Sequence, residues 1–348
     1  MAPPLMGVAN RFLMNFAASY SGGGFKRLYE FAKWFDANGG AWFIIHPNCA
    51  GLMKEFQNNQ FWIADQPRYE RVFNDCRYLA AIEIEIGEPE LYYSYGIPIY
   101  RKVGNQNWFH LSNVLPLASP GVPLSLFDRL KLRYLGRRIK QNLHNADIIS
   151  AESQYSLSLI DGSQHAKLVL SVNGSDEELA YLRDADPLPK ENIATVVGTW
   201  RYKGVEDSYL VFEILRRTNP GLRLVIIGNE KTVPKKIQDS ESVDLRGTLS
   251  RAEVIKTLRS SRFYLSATHI ENSFNAASEG AVFAGESYIS DIGPHRELLV
   301  GTQFDQVSFP RMRLPMLHVI GANMSGANLR LWEEIIRDMI AKVGMDIQ

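Results

Sequence analysis

The chain holds only two cysteines, Cys49 and Cys76, in 348 residues. That is too few for a disulfide framework, and no CxxC spacing is present for a metal. A reducing, cytoplasmic compartment is therefore expected. No apolar run approaches the roughly 18 residues of a membrane span. The opening MAPPLMGVANRFLMNF has no cationic start ahead of a long apolar core, so neither a span nor a signal peptide is expected. Low-complexity tracts and long like-charge runs are also missing, which argues for a chain folded throughout. Net charge is zero, and no nucleic-acid-binding motif is recognised, which together disfavour a nucleic-acid partner.

What is present is an ordinary globular composition, 45% apolar and 22% charged. The length exceeds what one core usually supports, so two domains with a cleft are expected. The first half opens as strand (RFLMNF), glycine turn (SGGG) and helix, in which Phe25, Leu28, Phe31, Ala32 and Phe35 recur at helical spacing up to Gly39 and Gly40. AWFIIHPN follows as a buried strand. The turn at Gly23 and Gly24 reads either as a tight turn or as a ligand loop at a helix N-terminus. It is not GxGxxG, so no nicotinamide site is expected.

AAIEIEIG alternates strictly, which predicts a half-exposed strand with Ile82, Ile84 and Ile86 on one face. ELYYSYGIPIY predicts a strand made peripheral by Pro98, and NWFHLSN another. Pro120 to Asn145 turns helical, with Leu126, Leu130, Tyr134 and Leu135 as its apolar positions. Residues 101–145 hold eight Lys or Arg against one acid, Asp128, so an anionic partner is expected there, an anionic membrane surface against residues 126–140 being one form of it and a plain solvated helix the alternative. ADIISAES and AKLVLSVNG return to strands.

DADPLPKENIA breaks the periodicity and is taken as the linker. Beyond it ATVVGTW, LRLVIIG, VDLRG, RFYLSAT and ESYISD read as strands separated by helices, one with a capping box at Ser250 and Glu253. This is a doubly wound α/β pattern, in which ligands sit at the carboxyl ends of strands. GTWRYKG, with Gly198, Arg201 and Lys203, leaves one such end. THIENSFNAASEG leaves another, with Glu271 and Glu279 eight positions apart and a helix expected to begin at Ser273 or Phe274. Two cations beside free helix N–H groups suit a diphosphate, and two carboxylates suit sugar hydroxyls. Solvated loop charges and an exposed helix face are the plain alternatives. His110, beside Ser112 and Asn113 at a strand end, reads either as the best candidate histidine facing a sugar across the cleft, ahead of His46, His269 and His295, or as a partly buried histidine satisfied by backbone groups.

These residues resemble the nucleotide-sugar-binding domain of GT-B glycosyltransferases of retaining family 4. YKG stands where that family has a Lys-Gly loop for donor phosphates, and ENSFNAASE where it has two glutamates separated by seven residues. SVNGSD is similar to its Asn-Gly-x-Asp segment, and SDIGPHREL to its strand and loop after the second glutamate. The resemblance covers residues 146–300 well and 1–145 in outline. Asn272, Ser273, Phe274 and Asn275 replace the family's Gly-Phe-Gly and Pro, and Thr199 replaces the Arg of its Gly-Arg pair.

The resemblance implies two Rossmann-like domains facing a cleft: an acceptor-binding domain at 1–185, a nucleotide-sugar-binding domain at 186–325, and a terminal helix at 326–348 packing back on the first. It implies a metal-independent transferase that moves a sugar from UDP- or GDP-sugar, with no cofactor, to a glycan or lipid-linked glycan, in the context of bacterial surface polysaccharide. Lys203 and Arg201 would meet the diphosphate. Glu279 would hold the ribose, Glu271 with His110 would lie at the transferred sugar, and the N–H groups at Ser273, Phe274 and Asn275 would face the donor. A catalytically silent nucleotide-sugar-binding module and a sugar-nucleotide epimerase are the alternatives.

Overall fold

A computed structural model describes residues 11–73, 76–118, 121–160, 166–175, 188–321 and 330–344. The chain divides into two compact units, one of residues 1–118, 130–174 and 330–348, the other of residues 119–129 and 175–329. Residues 184–187 of the expected linker lie outside the described residues.

The first unit is built on a seven-stranded sheet, parallel throughout. Its strands are β1 (Phe12–Phe16), β2 (Trp42–Ile45), β3 (Gln60–Ile63), β4 (Leu91–Tyr95), β5 (Gln106–Leu111), β6 (Ile148–Ala151) and β7 (Lys167–Leu170), in the order β3-β2-β1-β4-β5-β6-β7. Strand order reverses between β1 and β4. The longer helices here are α1 (Gly22–Ala37) and α2 (Cys76–Ile86), and α3 (Leu126–Asn142) belongs to this unit from Leu130 onward. Burial of both sheet faces explains the near-continuous apolar runs of β1 and β2. Phe12, Phe16 and Phe43 pack against Leu28, Phe31 and Phe35 of α1.

Three expectations from the sequence are corrected. AAIEIEIG is helix α2, not a strand. Ile82 and Ile86 stand four residues apart and share the buried side, while Ile84 points to solvent, so a spacing of four satisfied both periods. β4 is central, paired on both sides, because it ends at Tyr95 and Pro98 lies beyond it. In α3 the buried positions are Leu132, Gly136 and Ile139, and Leu126, Leu130 and Tyr134 are exposed.

The second unit repeats the plan with β8 (Glu191–Val197), β9 (Arg223–Ile227), β10 (Val243–Leu245), β11 (Ser261–Ser266), β12 (Glu286–Ser290), β13 (Asp305–Val307) and β14 (Met316–Ile320). Their order is β10-β9-β8-β11-β12-β14-β13. β14 runs antiparallel to both neighbours. Helices α4 (Val205–Thr218), α5 (Arg251–Ser260) and α6 (Asn275–Phe283) cross between the parallel strands. Ser250 and Glu253 form the capping box at the start of α5. The reversal point lies between β8 and β11. The terminal helix α7 (Trp332–Lys342) belongs to the first unit, where Trp332, Ile336, Met339 and Ile340 join the core that contains α1.

Candidate functional site

At the carboxyl edge of the second sheet, the loops after β8 and β11 leave from the reversal point, where open α/β sheets bind ligands. They are stitched together. His269 N–H donates to the Tyr202 carbonyl at 2.8 Å, and the Thr268 hydroxyl reaches the same oxygen at 3.2 Å. Gly204 makes this approach possible. Its φ is +62°, and a Cβ there would lie 2.0 Å from the Ala267 carbonyl oxygen, so only glycine fits.

The outcome is an ion pair between Lys203 and Glu271, one residue from each loop. Burial opposes the ammonium, but the charge and hydrogen bond of Glu271 outweigh it and raise the Lys203 pKa above its ordinary value.

Helix α6 begins at Asn275 with Phe274 as its N-cap, and no side chain caps it. The Ser273 hydroxyl donates to the Asn275 side chain at 3.2 Å. The small residues of this segment have a packing cause as well. A Cβ on Gly280 would lie 2.1 Å from the Tyr264 ring, so the helix rests directly on β11. Glu279, on this helix, is buried and accepts both terminal nitrogens of Arg251 at 2.6 and 2.5 Å. The two carboxylates thus flank the start of a helix, each held by a different cation.

Arg251 was missed in the sequence. It stands at the first position of α5, beside a capping box that explains its neighbours and draws attention away from it.

Arg201 goes elsewhere. It lines a cavity of about 590 Å³ with Thr199, Lys231, His269 and Arg313, whereas Lys203 is engaged with Glu271. Gly198 directly follows β8, with φ of +90°. His295 is fully buried, its Nδ1 at 2.7 Å from the Ser290 carbonyl. Burial pushes its pKa down to about 4. Half-buried His269 stands 3.4 Å from Asp207. His46 caps its own turn, accepting from Asn48 N–H.

In the first unit His110 is at the carboxyl end of β5, but its ring is wholly inside the core. It stacks on Tyr95 at 5.1 Å, and its Nδ1 is 2.7 Å from the Ser150 hydroxyl. Burial and then the charge of Arg27 lower its pKa to about 4, so the ring is neutral at pH 7. Glu152, directly after β6, lies 3.6 Å from His110 Nε2 and accepts from the Tyr95 hydroxyl at 3.1 Å. Burial opposes its carboxylate, yet hydrogen bonding from His110 and Tyr95 and the charge of Arg27 hold the pKa below the ordinary range.

Arg27 is a second residue the sequence hid. It occupies the buried face of α1 and donates to the Ser171 hydroxyl at 2.6 Å and to Asn173 at 3.1 Å. Its signal was a cation set on the apolar stripe between Gly24 and Leu28. Gly23 and Gly24 form the first turn of α1, and a Cβ on Gly23 would meet open space.

Among the described residues no cluster of His, Cys, Asp or Glu suits a metal ion. Asp184 and Asp186, which form an Asp-Ala-Asp triplet, lie outside those residues. No described helix is long and apolar enough to cross a membrane.

No protein-family model and no curated protein sequence matches this chain. Among solved structures it is similar to sucrose-phosphate synthase from Thermosynechococcus elongatus, with a TM-score of 0.66 and 12% identity over 96% of this chain and 90% of that one. It is also similar to Anabaena HepE in complex with UDP and glucose, with a TM-score of 0.54 and 13% identity over 82% of each chain. Trehalose-6-phosphate synthase, in a study of bisubstrate glycomimetics, gives a TM-score of 0.52 and 11% identity over 83% of this chain and 86% of that one. The chain therefore has the two-domain, Rossmann-like fold of the GT-B glycosyltransferases.

Proposed function

We propose that this protein is a glycosyltransferase of the retaining family 4 type, which moves a hexose from a UDP- or GDP-sugar to a glycan or lipid-linked glycan without a metal ion. The observation that carries this reading is the convergence of Lys203 and Glu271 from the two loops at the β8/β11 reversal point, beside the uncapped start of α6. A diphosphate placed there would share the Lys203 ammonium with Glu271 and accept from the first N–H groups of α6, at Asn275 and its neighbours, with Ser273 and Phe274 shaping the approach. Glu279 would accept from the ribose hydroxyls, with Arg251 holding its carboxylate in place.

In the reaction the bond between the sugar C1 and the phosphate oxygen breaks, and the diphosphate leaves with the electron pair. The acceptor oxygen bonds to C1 and its proton passes to the leaving phosphate. Lys203 and the α6 dipole stabilise the charge that develops on the leaving group, and Glu271 stabilises the positive charge on the sugar ring. Gly198, with φ of +90°, supplies the turn by which the chain leaves β8. Arg201 is assigned a secondary place at the adjoining cavity. His110 acts through Glu152 within the first unit, where the Gly23 and Gly24 turn offers backbone N–H groups to an anion.

HepE in complex with UDP-glucose supports a UDP-sugar donor, and the trehalose-6-phosphate synthase study concerns transfer with retention. Bacterial surface-polysaccharide or lipopolysaccharide assembly, at the cytoplasmic face of a membrane, is the setting we assign on sequence resemblance.

The test is a thermal-shift screen of UDP-, GDP- and ADP-sugars. A ligand at about 100 times its Kd adds roughly 2.7 kcal/mol. The hit is then incubated with and without EDTA, and the anomeric configuration of the product is read by NMR. No shift with any nucleotide sugar would sink the donor reading, and free sugar released without an acceptor would favour an epimerase.

A further inference from the structure

Helix α3 presents large apolar side chains to solvent on the side opposite its packing face. Leu132, Gly136 and Ile139 are buried. At 100° per residue, Phe127, Leu130 and Tyr134 fall on the opposite side. They are 76, 56 and 47% exposed, and Leu126 beside them is 75% exposed. Their spacing of three and four residues makes one continuous stripe. Exposed Arg133, Arg137 and Lys140 flank it on one side and exposed Lys131 on the other.

The same basic segment behaves differently outside the helix. Arg101 is paired with Glu83 and Lys102 with Asp147. Within the helix the one acid, Asp128, is held by the Ser125 hydroxyl at its N-terminus. The positive charge left facing water is therefore concentrated along the stripe. A scattered exposed Leu needs no explanation, but an ordered apolar row between cations does. That is the composition of a helix lying in the plane of a bilayer interface, apolar side chains down and cationic stems reaching to the headgroups. An anionic bilayer satisfies row and flanks together without demanding a register of individual carboxylates.

We propose that α3 docks this protein on an anionic bilayer, with Phe127, Leu130 and Tyr134 entering the headgroup boundary and Lys131, Arg133, Arg137 and Lys140 meeting lipid phosphates. The glycosyltransferase reading supplies the use of such docking, presentation of a lipid-linked acceptor. The docking itself stands on the helix alone.

The experiment uses the full chain and sedimentation with phosphatidylcholine vesicles, with and without phosphatidylglycerol. The parent should bind the anionic vesicles and not the neutral ones. Phe127→Ser/Leu130→Ser/Tyr134→Ser should lower partitioning by roughly a hundredfold. Arg133→Gln/Arg137→Gln/Lys140→Gln should lower it about fivefold per charge removed. High salt should weaken parent binding toward its level on neutral vesicles, since the contacts to lipid phosphates are screened. Because the substituted side chains are exposed, melting temperatures should match the parent and exclude misfolding. A parent that ignores anionic vesicles, or a serine variant that binds as the parent does, overturns the proposal. So does a parent dimer that the serine variant dissociates with no lipid binding in either, which would assign the stripe to a second copy. UDP binding measured without vesicles judges the donor reading separately.

Discussion

Lys203 and Glu271 offer a perturbation in which folding and ligand binding separate. Their side chains are only 18 and 17% exposed. Removing one partner of a fully buried pair costs about 3–5 kcal/mol, because the other is left charged and alone. The remaining exposure allows water to reach the survivor, which discounts the cost to roughly 2–3 kcal/mol. Lys203→Ala or Glu271→Gln alone should therefore lower stability by that amount in urea titrations at pH 7. The ammonium's pKa is raised above 10.5, so its contribution is fully present at neutral pH and is lost as pH rises through the folded value. Neutral conditions thus read its whole effect. The double variant Lys203→Ala/Glu271→Gln should recover the cost of one of the two single changes, giving a coupling of about 2–3 kcal/mol. UDP affinity should not recover. Loss of one charge-assisted hydrogen bond is worth about 1.5–3 kcal/mol, or roughly ten- to a hundredfold in Kd by calorimetry. Additive stability changes would show that the two residues do not couple. A double variant that binds UDP as well as the parent would remove Lys203 from the donor site.

Two further outcomes follow from the buried histidines and from the loop contact. His110 and His295 have folded pKa values of about 4 against an ordinary 6.5, so the unfolded chain binds more protons between those values and stability must fall as pH drops through that window. Each should cost about 2 kcal/mol between pH 7 and pH 5, and His110→Asn and His295→Asn should each flatten the urea-midpoint profile; an unchanged slope would contradict the burial argument. Gly204→Ala should separate the β8 and β11 loops and lower stability by at least about 1–3 kcal/mol, and a melting temperature equal to the parent's would refute the close approach.

The centre of each sheet was legible because its strands are short apolar runs bounded by glycine, and buried parallel strands leave that imprint on the chain. The placement of Lys203 and Glu271 followed from the same local signals, since a strand's end and the reversal of strand order fix where its loop emerges. Elements away from the centre were harder. β3 is only Gln60–Ile63, and half-buried, too short to show a period. β14 enters antiparallel from a proline-rich stretch with no helix crossing before it. α2 imitated a strand because its isoleucines sit at spacings compatible with both periods.

Side-chain partners were the part the sequence withheld, and the reason is geometric. Arg251 and Glu279 are 28 residues apart. They meet only because α5 and α6 pack together, with Ile255 and Leu258 against Ala277 and Ala281 in one apolar cluster. No local pattern encodes that adjacency. α3 shows the same limit from the other side. Its sequence carries two apolar rows, Phe127-Leu130-Tyr134 and Leu132-Leu135-Ile139, and helical periodicity cannot choose between them. The choice is made by what lies beneath. Gly136 lets the helix rest against the Pro116 carbonyl oxygen, which a Cβ would approach to 2.2 Å, and only the face that carries this glycine can pack so closely. The larger row is thereby turned outward. A helix that gives up burial of Phe127 and Leu130 to bring a glycine against its neighbour loses stabilisation on the order of 1.5–3 kcal/mol per side chain in water, and that loss is what a bilayer surface would return.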